Sequence, residues 1–427
     1  MKSNIRIAVA ALVTCTVVLI LYSNLFLKDV NTSVDVTWSK TTTKPKVGVL
    51  PQQQPTAEAP KANPITKPRL RRYVPRPVIS PIKFSPEFRR TIPQNSGFWN
   101  RKFHHSLKQL DLGNVSHLNS STESSESLQA NIPDLNSYSA LYHQFLHSMH
   151  FRTPDLLINQ PNKCRSNGQP ERVTLLLGIK SVARNFEERQ AIRETWGQEG
   201  LTGDGLLVRR VFLLGTLPSD VPDLRALMAF EAQQHGDVLM WDFKDTFYNL
   251  TLKDHMFLEW TLQHCSQASF IFKGDDDVFV NPGAVLRYVK SLTPDKASKL
   301  YAGQIIYQAS PHRSTSVKYY IPQSFYDGPY PPYAGGGGFL FSGALLPSLY
   351  SVTWIIPFYP IDDVYTGMCF HALGVEPEKH PGFQTFDIRE QDRENPCVYR
   401  DLLLVHRRSP QQALRLWRSM KSPLLTC

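Results

Sequence analysis

No internal repeat is visible in the 427 residues, so a stacked-repeat architecture is not expected. Cysteine is scarce. There are six, of which Cys15 falls in the first apolar run and Cys164, Cys265, Cys369, Cys397 and Cys427 fall in the C-terminal part. Five is odd, so at most two bridges form there and one thiol is left over. Excess positive charge is missing from most of the chain. The formal net charge is +10, yet residues 111–427 carry −4, because residues 28–110 hold +12 and residues 1–27 hold +2. No basic surface for nucleic acid is expected on the folded part. One stretch lacks core-forming runs. From Pro45 to Pro93 there are 11 prolines in 49 residues. Proline fixes φ and removes an N–H, so this stretch reads as an extended spacer. The Ser-, Asn- and Glu-rich segment 114–131 reads as flexible, with Phe98-Trp99 between them as a short docking element.

The one long apolar run opens the chain. Ile7 to Leu27 carries no charge and is long enough to span a bilayer as a helix. Lys2 and Arg6 precede it and favour a cytoplasmic N-terminus. A cleaved signal peptide is the competing reading, but no small-residue cleavage site follows and Lys28-Asp29 comes next. The expected organisation is a cytoplasmic tail (1–6), a signal anchor (7–27), a lumenal stem (28–136) and a catalytic domain (137–427), its motifs lying in 164–427. Asn31, Asn114, Asn119 and Asn249 each head a glycosylation triplet, in keeping with a lumenal location.

Beyond residue 164, apolar strands alternate with helices. Strands are predicted over 172–180, 208–215, 238–241 and 269–272, and helices over 187–198, 220–235 and 252–265. Leu141, Phe145 and Met149 suggest a further helix within 137–163. This is an α/β pattern with a mostly parallel sheet, whose ligands bind beyond the carboxyl ends of the strands. There the strand Phe270-Ile-Phe272 runs into Lys273-Gly-Asp275-Asp276-Asp277. Three adjacent carboxylates repel one another unless a cation neutralises them, and oxygen ligands of this kind suit Mg²⁺ or Mn²⁺. Backbone alternation points Asp275 and Asp277 one way and Asp276 the other. A solvated acidic turn is the plainer alternative.

The segment Lys273 to Asn281 resembles the DxD region of the inverting β-1,3-glycosyltransferase family, which contains β-1,3-galactosyl- and β-1,3-N-acetylglucosaminyltransferases. Arg189-Gln-Ala-Ile-Arg-Glu-Thr-Trp196, Asp242 to Lys253, Tyr333-Ala-Gly-Gly-Gly-Gly-Phe339 and Asp362-Asp363-Val364 resemble further family elements in the same order. Within the family the chain is most similar to the group that extends polylactosamine, which also has Asp where the usual motif has Glu at position 362. The resemblance implies a GT-A-like domain that binds a UDP-sugar in the Golgi lumen. It implies transfer of N-acetylglucosamine to the 3-hydroxyl of a β-galactose-terminated glycan on glycoprotein or glycolipid. A β-1,3-galactosyltransferase using UDP-galactose is the nearest alternative, and a non-catalytic lectin or chaperone is the alternative of another class.

The site roles follow from both sources. Asp363, just before an expected helix, is the candidate general base, with Asp362 as fallback and plain helix capping as the bland alternative. Asp277 and His406 are the candidate metal ligands, with His380 as the alternative histidine. Asp275 and Asp276 are assigned to the ribose and phosphate, and Arg193 and Lys253 to the nucleotide, since phosphates attract both cation types. The glycines Gly335, Gly336 and Gly337 allow close approach of backbone to a sugar. Expected bridges join Cys164 to Cys265 and Cys369 to Cys397, leaving Cys427 over.

Overall fold

The computed structural model describes residues 82–92, 97–113, 124–203, 205–218 and 221–427. The anchor run, most of the proline-rich stretch, Asn31, Asn114 and Asn119 lie outside them. Among the described residues no helix is long and apolar enough to cross a membrane.

The centre is a mixed sheet. Its principal strands are β1 (Leu156–Ile158), β2 (Leu175–Lys180), β3 (Leu207–Thr216), β4 (Val238–Lys244), β5 (Phe270–Asp275), β6 (Val278–Val280), β7 (Tyr301–Gly303), β8 (Gly338–Ser342), β9 (Glu378–Lys379) and β10 (Leu404–His406). The order across the main sheet is β1-β4-β3-β2-β5-β8-β7-β9, while β6 and β10 pair in a small separate sheet. β4, β3, β2 and β5 run parallel, joined by helices, as the alternating pattern requires. The expectation of a mostly parallel sheet fails beyond β5. β8 returns antiparallel to β5 after a long connection that includes the helices Pro282–Ser291 and Pro294–Ser298 and strand β7; β7 is antiparallel to β8 and parallel to β9, and β1 is antiparallel to β4.

β2 is buried along its whole length, so its residues serve two cores in alternation. Leu175, Leu177 and Ile179 face a layer containing Trp196, Val285 and Leu416, and Leu176 faces the opposite layer with Phe257 and Trp260. The helix Leu250–His264 covers the second face, and the helix Asp362–Ala372 packs against that layer.

The region read as stem contributes to this second core. The helices Pro86–Thr91, Phe98–Asp111 and Ser125–Asn131 form before residue 136. Ser85 caps the first through the Phe88 amide and ties it to the domain by donating its own amide to Ala372 O, 2.8 Å. Trp99 is 2% exposed and donates Nε1–H to Pro357 O at 3.0 Å. Phe88, Phe98, Phe103, Leu107 and Leu128 are buried with it. The folded unit therefore starts well before residue 137. In the next helix, Ala140–Ser148, Phe145 faces the core and Met149 is buried just beyond its end. Leu141 is exposed, its place taken by Tyr142 and Leu146.

Cys164 and Cys265 are bridged. The second bridge joins Cys397 to Cys427, and Cys369 is free and buried, which corrects the expected Cys369–Cys397 pair. Cys369 lies inside the helix Asp362–Ala372, packed in the core, while Cys397 lies on the exposed loop that the chain end reaches.

Candidate active site

Sheet register assembles the site. β2 and β5 end side by side with Lys180 opposite Asp275. The chain turns through Asp276-Asp277 into β6, whose Val278 pairs with His406 of β10. β8 runs back beside β5, so Gly337 O accepts the Asp275 amide at 3.3 Å. Three segments remote in sequence thus meet at the carboxyl end of β5.

Ligand atoms of Asp275, Asp277 and His406 lie within 4.8 Å of one another. His406 Nε2 is 3.3 Å from Asp277 Oδ1, and its Nδ1 donates to Thr385 O at 2.8 Å. That bond fixes the ring and leaves Nε2 aimed at the carboxylates, as a metal-ligating histidine requires. The hydrogen bond with Asp277 raises the His406 imidazole above its ordinary range. Two carboxylates and one imidazole, partly open to solvent, fit a Mn²⁺ or Mg²⁺ that keeps positions for phosphate oxygens. Asp275, expected at the ribose and phosphate, thus lies in one cluster with Asp277 and His406. Asp276 faces the other way, as alternation requires, and accepts from Asn185 Nδ2 at 2.9 Å. His380 stacks on Tyr288, 4.4 Å between ring centres, and is not in the cluster.

Asp362 and Asp363 open the helix Asp362–Ala372 and have opposite environments. Asp362 is 6% exposed and accepts from Lys180 Nζ at 2.7 Å, with Lys273 Nζ at 3.5 Å. Burial alone would raise its pKa, but Lys180 and then Lys273 outweigh it and hold the carboxyl well below the usual range. Asp363 is half-buried. Burial, and then the neighbouring Asp362 carboxylate, push it up to about 7. It accepts from the Val364 amide at 2.8 Å. Asp362 is committed to a structural ion pair, which leaves Asp363 as the carboxylate able to take a proton near neutrality.

The glycine run fits between these groups. A Cβ on Gly336 would lie 3.2 Å from Asp363 Oδ2, and one on Gly337 would lie 3.1 Å from the His406 ring. Side chains there would crowd the acid and the imidazole, which explains glycine at both positions.

Sequence reasoning missed Lys180. It is 6% exposed and bridges Asp362 (2.7 Å) and Asp275 (2.9 Å), so one ammonium links the cation cluster to the base motif. A lysine closing an otherwise apolar strand at the level of Asp275 was the signal available. Beside it, Lys273 pairs with the buried Asp254. Two expected nucleotide contacts are committed elsewhere. Arg193 is buried against Glu231 (2.6 Å) and Asp237 (2.9 Å) in a network with Arg189 and Arg210. Lys253 is 1% exposed, donating to Ser181 O (2.7 Å) and Asp245 Oδ2 (2.8 Å). Both stabilise the loop walls instead of offering a free cation. Arg407, next to His406, is exposed and sits in the left-handed region at φ 61°, a costly conformation for arginine. Beyond the carboxyl ends of β2 and β3 opens a cavity of about 260 Å³, lined by Ala183, Thr216, Leu217, Pro218 and Asp242 among others.

Comparison with known proteins agrees with this geometry. The profile of the family described as Galactosyltransferase matches residues 187–381. The chain is 49% identical over 316 residues to mouse N-acetyllactosaminide beta-1,3-N-acetylglucosaminyltransferase 2, covering 74% of this chain and 78% of that protein. It is 48% identical to the human protein of the same name over 318 residues, with the same coverage. It is 41% identical to human acetylgalactosaminyl-O-glycosyl-glycoprotein beta-1,3-N-acetylglucosaminyltransferase over 304 residues, 69% of this chain and 77% of that one.

Proposed function

The chain belongs to the galactosyltransferase family, and from that premise we propose that it transfers N-acetylglucosamine from UDP-N-acetylglucosamine to the 3-hydroxyl of a β-galactose-terminated glycan, with inversion. The observation that carries the chemistry is the placement of Asp363, raised towards neutrality, across Gly336–Gly337 from the Asp275–Asp277–His406 cluster. The donor and acceptor are taken from the names of the relatives. The domain is read as GT-A-like.

Asp363 accepts the proton of the acceptor hydroxyl. The hydroxyl oxygen forms its bond to C1 of the donor sugar from the face opposite the diphosphate, and the C1–O bond to phosphate breaks with its electron pair leaving on UDP. A base poised near 7 is matched to this task at neutral pH. Asp277, His406 and Asp275 would hold Mn²⁺ or Mg²⁺, which supplies charge neutralisation for the departing diphosphate. Arg407 adds a cation beside it. Asp276, held by Asn185 at the loop after β2, faces the ribose side, and the 260 Å³ cavity beyond β2 and β3 takes the uracil end. Asp362 stays ionised on Lys180, keeping a negative charge beside Asp363. We also read the enzyme as a type II Golgi membrane protein, anchored by Ile7–Leu27 with its catalytic domain lumenal.

Two variants test the division of labour. Asp277→Ala is expected to weaken UDP binding and its stimulation by Mn²⁺. Asp363→Asn keeps shape and UDP affinity while turnover falls by about 10²–10⁴. Calorimetry of UDP binding with product assays decides the matter. Near-normal turnover by Asp363→Asn, or cation-stimulated tight binding by Asp277→Ala, would refute the assignment.

A further inference from the structure

One large apolar side chain is held out into solvent beside the site. Phe386 is 70% exposed. The residue before it, Thr385, is anchored on three sides. Its carbonyl accepts from His406 at 2.8 Å, its amide donates to Gln304 Oε1 at 2.6 Å, and its methyl lies 2.7 Å from where a Cβ on Gly335 would be. The residue after it, Asp387, is equally fixed. It adopts φ 75°, and its carboxylate pairs with Arg408 (2.7 Å) and Arg393 (2.9 Å).

A loop pinned at both neighbours does not expose phenylalanine through slackness. Burying this ring would be favourable, and the left-handed backbone next to it is itself costly, so the fold forgoes stability to keep the ring outside. Such exceptions collect at functional sites. The ring is one residue from the backbone that orients His406. Thr385 lies against Gly335, and Asp363 lies against the next glycine, Gly336, so the ring borders the side of the site that holds the base. An exposed residue on the rim meets the molecule that arrives from solvent.

We propose that Phe386 is the acceptor-side platform, stacking on the apolar face of the terminal β-galactose and positioning its 3-hydroxyl for Asp363. A pyranose with its C–H bonds on one face is the partner such a ring recognises, since aromatic faces carry negative charge and C–H edges positive. This rests on the transfer proposed above.

The test compares Phe386→Ala, Phe386→Leu and Phe386→Trp in the full chain, with N-acetyllactosamine as acceptor. Phe386→Ala is expected to lower acceptor kcat/KM about three- to tenfold, mainly through KM. Donor KM, acceptor-independent hydrolysis of UDP-N-acetylglucosamine and thermal stability stay unchanged, because the side chain is exposed. Phe386→Trp restores acceptor KM and Phe386→Leu does not. An unchanged acceptor KM in Phe386→Ala, or a change confined to donor KM, overturns the proposal, as does full rescue by leucine. A native chain that transfers nothing to galactose would instead sink the underlying function.

Discussion

Replacing Lys180 by methionine tests the ion network that joins the two halves of the site. The ammonium is 6% exposed and sits 2.7 Å from Asp362 and 2.9 Å from Asp275. At an effective dielectric near 20, each contact is worth roughly 6 kcal/mol of Coulomb attraction before desolvation is subtracted. Methionine keeps the stem and removes the charge, leaving Asp362 buried without its principal partner. Loss of one member of such a pair typically costs about 3–5 kcal/mol. The pH dependence has a definite sign. Asp362 has a depressed pKa in the folded chain, so it contributes stability above its unfolded value near 3.9, and that contribution is lost as pH falls through the folded value. The gap between native chain and variant is therefore widest at pH 7 and narrows towards pH 4. Urea denaturation of a chain starting at residue 75, at pH 7 and pH 5, followed by tryptophan fluorescence, measures it. A destabilisation below about 1 kcal/mol at pH 7, or one that widens on acidification, would refute the network. Adding Asp362→Asn to Lys180→Met is expected to recover part of the loss.

Because Asp363 must be ionised to take a proton and its pKa is raised to about 7, kcat is expected to fall as pH drops through that value, a limb that a pH–rate profile of Asp363→Asn should lack. The same raised carboxyl opposes folding once pH exceeds its unfolded value, so Asp363→Asn is expected to melt no lower than the native chain at pH 8. A chain starting at residue 130 loses Phe84, Phe88, Phe98, Trp99, Phe103, Leu107 and Leu128 from the core, on the order of 10 kcal/mol of burial, and is expected to aggregate where a chain starting at residue 75 stays soluble; size-exclusion chromatography compares them. Cys397→Ser opens a bridge spanning 30 residues that encloses His406, and a melting curve is expected to register a loss of about 3–4 kcal/mol.

The parts of the fold legible in the sequence are those where hydrophobic period and register coincide. β2, β3, β4 and β5 each contain an apolar run, so their positions and the site at the end of β5 could be read directly. Asp275 and Asp277 fall on one side of the turn and Asp276 on the other for the same reason. The antiparallel return of β8 could not be read, because the helices in the connection before it, Pro282–Ser291 and Pro294–Ser298, are followed by some forty residues with little regular structure that do not fix its direction. The N-terminal helices were hidden by composition. Prolines and basic residues around Phe84, Phe88, Phe98, Trp99 and Phe103 suggested a spacer, while the aromatic spacing alone marks a buried face. Arg193 shows the limit of motif reasoning. Its place in a family element suggests a nucleotide contact, and only the structure reveals its pairing with Glu231 and Asp237. Lys180 is the converse, a residue that looks like a strand boundary until register puts it between two carboxylates.

The central claim is the transfer itself. Incubating a chain starting at residue 75 with Mn²⁺, N-acetyllactosamine and, separately, UDP-N-acetylglucosamine, UDP-galactose and UDP-N-acetylgalactosamine, then resolving the product linkage by NMR, tests it most directly. The account predicts N-acetylglucosamine in β-linkage to the 3-position of galactose, from the first donor only, with product abolished by Asp363→Asn. Product from UDP-galactose instead, an α-linkage, or UDP-sugar turnover that survives Asp363→Asn unchanged would contradict it.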